Sequence, residues 1–203
     1  MRTGTRVAVA LILLVAGTAG SVGAMNLIQT ARLNEAGRVS FTFGGGLVRQ
    51  EDPSMVWFLT PQVRVAIGVS DGINLAFQSG VLTPLGSADP GWLGVHVDAR
   101  LRITEVPGSY TLSWGVGGGY GLDFFGEGWG IFGELLFESQ SRSFPIFVSY
   151  RGVLRFDDME ELHLRPHWSG GVHLRLAPLA RLLLVMDSFD GTLTLGLGLE
   201  IML

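Results

Sequence analysis

The chain has 203 residues, of which 30 are Gly and only 16% are charged; the net charge is -4, there is no Cys, and all 14 cations are Arg. That length fits one domain, the charge falls well below the roughly 25% of an average soluble domain, and the absence of a basic block gives nucleic-acid binding no support. Without Cys there is no disulfide framework, no thiolate chemistry and no lipid anchor at a lipobox.

Residues 1–24, MRTGTRVAVALILLVAGTAGSVGA, read as a signal peptide. Arg2 and Arg6 precede an apolar run from Val7 to Ala16, and Val22 and Ala24 stand at the two specificity positions before a cut. The run is much shorter than the ~20 residues a helix needs to span a bilayer. Cleavage after Ala24 is therefore expected, followed by a polar periplasmic lead-in at 25–37 and one β domain at 38–203.

In that domain large apolar residues recur at every second position, as a strand with one oily face requires. The first strand sets Val39, Phe41, Phe43 and Leu47 against Ser40, Thr42, Gly44 and Gly46. The second sets Trp57, Leu59, Val63, Val65, Ile67 and Val69 against Thr60, Gln62, Arg64, Ala66 and Gly68. A tight SDG turn at 70–72 leads into the third, with Ile73, Leu75 and Phe77 on its apolar face. The fourth carries four ionisable groups on one face, His96, Asp98, Arg100 and Arg102, and the fifth places Thr111, Ser113 and glycines opposite aromatic and aliphatic groups.

Glu134 and Glu138 share a face of the sixth strand, where Phe132 and Leu136 blur the alternation. Arg151 and Arg155 share one in the seventh. The eighth aligns His163, Arg165, His167, Ser169, His173 and Arg175 opposite Leu162, Leu164, Trp168, Val172, Leu174 and Leu176. The ninth, LARLLLVMDSF, has ambiguous parity. The tenth ends the chain with Leu193, Leu195, Leu197, Leu199, Ile201 and Leu203 on one face and small or polar residues on the other.

A soluble barrel or sandwich would turn such aliphatic faces inward, and a membrane barrel turns them to lipid. The polar faces decide between the two, because they hold Gly, Ser, Arg and His instead of the Lys, Glu and Thr of a solvated sheet. Small side chains relieve crowding in a narrow lumen, and closing the sheet satisfies every backbone group, as a bilayer demands. The prediction is an all-β, transmembrane, antiparallel up-and-down β-barrel of about ten strands, with eight as the other count. The links after even strands, SDG, TEVPGS, SQSRS and APLA, are short as periplasmic turns are; those after odd strands are mostly acidic. Trp57, Trp92 and Trp129 open descending strands at the expected outer interface, although Trp92 has the lumen parity.

In this pattern the mature chain resembles the small bacterial outer-membrane β-barrel proteins. The resemblance implies outer-membrane localisation after export to the periplasm, with lipid and the barrel assembly machinery as partners. Leu203 stands where that family usually has an aromatic. Oligomeric state is not legible.

For a site, His163 and His167 lie four residues apart on one strand, roughly 13 Å, too far to share an ion. No metal and no cofactor is expected. No GxSxG, HExxH or phosphate-loop motif occurs. The expected functional feature is the polar lumen ladder, His96, Asp98, Arg100, Arg102, Glu134, Glu138, Arg151, Arg155, His163, Arg165, His167, His173 and Arg175, with Glu134 and Glu138 facing Arg151 and Arg155. The role expected is structural or passive, with a closed or very narrow lumen. The alternatives are a narrow channel for small solutes and a barrel-embedded hydrolase or lipid-modifying enzyme.

Overall fold

The structure is a computed structural model that describes residues 29–50, 56–85, 91–121, 128–141, 145–156, 164–189 and 192–203. Its strands are β1 (Val39–Gln50), β2 (Val56–Leu59), β3 (Gln62–Ser70), β4 (Ile73–Pro84), β5 (Gly91–Val106), β6 (Tyr110–Tyr120), β7 (Trp129–Ser139), β8 (Ile146–Arg155), β9 (Leu164–Ala177), β10 (Ala180–Phe189) and β11 (Thr192–Met202). The described residues contain no helix. From β3 onward each strand pairs antiparallel with the next, and β11 pairs back onto β1, so the sheet closes. A closed sheet has no edge to protect.

The wall has ten staves, because β2 and β3 form one strand broken at Thr60 and Pro61. Both halves pair with β1 in an uninterrupted register, Leu47 with Leu59 and Gly44 with Gln62. Pro61 has no N–H to give the ladder. Thr60 compensates: its amide donates to the Gly46 carbonyl at 3.0 Å, and its hydroxyl accepts from the Gly46 amide at 2.9 Å. Gly45 opposite leaves room for this, since a Cβ there would stand 2.7 Å from the Thr60 carbonyl oxygen.

Side chains alternate as the sequence predicts. Phe43, Ile67, Leu75, Val97, Leu101, Ile131, Leu135 and Leu197 are exposed on the outer face, and their neighbours in sequence turn into a closed interior. On β11, Leu195, Leu199 and Ile201 are half-buried, Leu197 and Leu203 are exposed, and the Leu193 side chain lies outside the described residues. Trp57 and Trp129 project outward at the ends of their strands, with Trp129 packed edge-on to Tyr120 at 5.4 Å. The Trp92 side chain lies outside the described residues.

Two ambiguous strands become clear. Phe132 and Leu136 point inward beside Glu134 and Glu138, and β10 turns Arg181, Leu183, Val185 and Asp187 inward. Phe147 joins Leu183 and Val185 in a small apolar core inside the barrel. The polar face of a strand is thus the lumen face, and apolar side chains fill the spaces between its charges.

The lead-in differs from expectation. Gln29, Thr30, Ala31, Leu33 and Asn34 are buried, folded back inside the mouth of the barrel at the end where β1 begins and β11 ends.

Candidate functional site

At mid-height the lumen is crossed by a chain of ion pairs. Arg64 on β3 grips Asp98 on β5 with two parallel bonds, 2.6 and 2.8 Å. Asp98 Oδ1, which accepts from Arg64 Nη2, also lies 3.2 Å from Arg100 Nε, and Arg100 Nε donates to Glu134 on β7 at 2.8 Å. Glu134 in turn accepts from Arg151 on β8, at 2.8 Å from Nη2 and 3.2 Å from Nε. All five side chains are buried. Burying so many charges is tolerable only because each has a partner held in hydrogen-bonding geometry.

Glycine makes one of these contacts possible. Arg100 and Glu134 both sit opposite Gly115, one on each flanking strand, so their side chains must meet above it. A Cβ on Gly115 would stand 2.9 Å from Glu134 Oε1 and 3.1 Å from Arg100 Cγ. Gly115→Val is therefore expected to part the pair and lower the unfolding midpoint in denaturant. Gly133→Val is the control: it faces outward with nothing within 4 Å of the added Cβ and should leave the midpoint close to that of the parent.

Aromatic contacts brace the belt. The Arg151 guanidinium lies over the Phe132 ring, 3.8 Å from its centroid, and His96 meets the same ring edge-on at 5.4 Å. His96 Nε2 is 3.8 Å from Asp98. His167 faces Asp187 at 3.5 Å.

A second cluster lies toward the end where β1 begins and β11 ends. Arg181 bonds Glu138 at 2.6 Å and Glu200 at 2.7 Å, and His173 stands 3.5 Å from Glu138 while its ring nitrogen contacts the Ser139 carbonyl oxygen at 3.1 Å. The expected pairing of Glu138 with Arg155 is corrected here. In an antiparallel register that sets Glu134 opposite Arg151, four residues forward on β7 correspond to four residues back on β8, so Glu138 faces Phe147 and Arg155 approaches Gly130. Glu138 and Arg155 thus sit near opposite ends of the barrel.

The remaining ladder residues spread along the axis. Arg165 and Arg155 are half-buried, and His163 lies outside the described residues. Arg102 sits at the rim, paired with Glu105 at 2.7 Å, and Arg175 is exposed. Both have the lumen parity, Arg102 opposite Ser113 and Arg175 opposite Arg181. Among the described residues no three His, Asp or Glu gather closely enough to hold a metal ion.

Arg64, Glu200, Arg181 and Asp187 were not on the predicted ladder. Parity alone would have found the first two, which stand on polar faces of their strands. Arg181 and Asp187 share one parity of the ninth strand, and that shared parity is its signal.

The buried lead-in locks onto both clusters. The Gln29 amide donates to Glu134 at 2.7 Å, and its oxygen accepts from Arg100. Arg100 also donates to the Thr30 carbonyl at 3.1 Å, Arg181 donates to the Thr30 hydroxyl at 3.1 Å, and the Arg32 amide donates to Glu138 at 3.0 Å.

Apolar outside, charged inside and closed on itself, the molecule is an antiparallel β-barrel of ten staves with an oily outer face. No protein-family model matches the chain, and neither does any curated protein sequence. Among solved structures it is similar to a de novo designed transmembrane β-barrel, with 10% identity over 85% of this chain and 100% of that one and a TM-score of 0.40. It is similar to the KdgM porin, with 5% identity over 81% and 98% and a TM-score of 0.39. It is also similar to the translocator domain of the autotransporter NalP from Neisseria meningitidis, with 8% identity over 98% and 94% and a TM-score of 0.32.

Proposed function

We propose that this chain is an integral protein of the bacterial outer membrane with a closed polar lumen, and that its role is structural or passive. On this reading it is exported with cleavage after Ala24 and folded by the barrel assembly machinery, and the end where β1 begins and β11 ends faces the periplasm. The observation that carries the closed lumen is the unbroken run Arg64, Asp98, Arg100, Glu134 and Arg151 across its middle. A wide pore lines its wall with charges that face water; here the charges face one another.

The test is planar-bilayer recording of the refolded protein alongside fractionation of expressing cells. The expected result is recovery with the outer membrane, a folded band on a detergent gel that shifts on heating, and no steady current. Steady unitary currents would make the protein a narrow channel. Recovery as a soluble periplasmic protein would overturn the membrane assignment.

A further inference from the structure

Residues 29–34 occupy the mouth of the barrel as a ligand occupies a site. They belong to no strand, yet four of them are buried at 6% exposure or less, and their contacts follow the logic of peptide recognition. Two of those contacts go to the main chain: Arg100 donates to the Thr30 carbonyl, and Glu138 accepts from the Arg32 amide. Main-chain bonds of this kind hold any extended peptide, and side-chain contacts select among peptides. Selection here falls on Gln29, clamped between Arg100 and Glu134, and on the Thr30 hydroxyl against Arg181.

The barrel does not need this segment to close. β1 pairs with β11 from Ser40 onward, and Val39 and Leu203 bond each other through both of their backbone groups. The segment joins β1 through Gly37, whose φ of 77° is a conformation that glycine adopts freely and whose position for a Cβ is open space. The Gly37 amide donates to the Gly68 carbonyl at 2.8 Å, so the segment turns off the wall at this glycine. Beside it, walled in part by its own Arg32, lies a polar cleft of about 540 Å³ that also borders Glu138, His173, Arg175 and Arg181. Withdrawal of the segment would join its space to that cleft.

One glycine on the wall receives it. A Cβ on Gly68 would stand 2.8 Å from the Asn34 carbonyl oxygen and collide with that of Glu35. No side chain other than hydrogen is compatible with the docked segment at this point.

We infer that the mouth of the barrel is a binding site for an extended polar peptide, filled in cis by residues 29–34 as a releasable plug. This rests on the closed-lumen reading, in that the ion-pair belt forms the floor of the site. The tether gives the plug a high effective concentration, on the order of mM for a short flexible linker, so free peptide competes only when the plug is displaced.

The chain has no Cys, so a single Ser40→Cys reports on the site: Ser40 is buried and accepts from the Asn34 side chain at 3.0 Å. The experiment uses the full-length protein refolded in detergent, a charged thiol reagent, and a labelled peptide QTARL followed by anisotropy. Gly68→Val displaces the plug at Asn34 and Glu35 and leaves the groups that hold Gln29 to Arg32 intact. Ser40→Cys alone is expected to react slowly, and with Gly68→Val at least about tenfold faster. With Gln29→Ala and Thr30→Ala added, so that its own segment no longer competes, the variant should bind QTARL saturably, and the same peptide with its Gln and Thr changed to Ala at least about tenfold more weakly. If Gly68→Val fails to give the folded gel band, Gln29→Ala with Asn34→Ala replaces it, since both changes lie on the plug. Rapid labelling of Ser40→Cys alone, or a folded displaced variant that labels no faster, would overturn the plug. Faster labelling without peptide binding, or binding indifferent to Gln and Thr, would overturn the site. Conductance by the parent protein would count against the closed lumen, a separate outcome.

Discussion

Replacing Glu134 by Gln is expected to cost about 3–5 kcal/mol of unfolding free energy, the range for removing one member of a buried ion pair. Glu134 is the carboxylate on which most of the belt converges: it accepts from Arg100, from Arg151 through two nitrogens, and from Gln29. Arg100 would keep Asp98 at 3.2 Å. Arg151 would keep only the face of Phe132, because no second carboxylate pairs with it among the described residues. The loss therefore falls on Arg151, a charge left inside the barrel without its counter-ion.

The same reasoning predicts strong non-additivity. Arg151→Ala alone strands part of the charge of Glu134, but Glu134→Gln with Arg151→Ala removes both charges and should cost less than the sum of the single changes. Denaturant titrations of the four proteins, with the folded fraction read from heat-modifiable gel mobility, measure this directly. Strict additivity would mean that the two residues do not interact. Glu200→Gln is expected to be milder than Glu134→Gln, since Arg181 retains Glu138 at 2.6 Å.

The barrel itself was largely legible in the sequence, because its information is local. Alternation tells which way each side chain points, and in a closed sheet that decides lipid or lumen without knowledge of which strands are neighbours. Glu134 and Arg151 could be paired because consecutive strands of an up-and-down barrel are neighbours. Glu138 and Arg155 are not partners, because along antiparallel strands positions beyond a matched pair move apart. The real partner of Glu138, Arg181, lies 43 residues away on a strand whose run of leucines hid its parity. The Arg64 contact with Asp98 spans β4 and so falls outside nearest-neighbour reasoning.

The plug was illegible for a different reason. Residues 29–34 have no hydrophobic period, and they form no strand whose alternation could be read. Gln29 meets Glu134 across 105 positions, and Arg32 meets Glu138 across 106. Nothing in QTARLN marks it as buried, because its burial is produced by the charges of the wall around it. Gly68 held a hint: a glycine breaks a row of larger lumen groups where the chain folds back, but its meaning depends on a contact that the sequence does not show.

Leu197→Arg is the second large effect expected, and it tests the outward face as Glu134→Gln tests the inward one. Leu197 lies in the middle of β11, 52% exposed, opposite Gly45 on one side and Leu184 on the other. On a barrel face buried in lipid, Arg near the bilayer midplane costs about 2–4 kcal/mol, because the guanidinium must be carried into hydrocarbon or must drag water and headgroups toward it. Gly198→Ser, one residue on, turns into the lumen between Gly44 and Leu183 and should cost far less. The comparison is made by unfolding both variants from lipid vesicles, where the penalty on Leu197→Arg has its source. Repeating it in detergent micelles, which deform around a charge more readily, should shrink the Leu197→Arg penalty and leave Gly198→Ser unchanged. Equal damage from the two substitutions in vesicles would mean that the aliphatic face of β11 does not meet lipid, and the membrane assignment would fail with it.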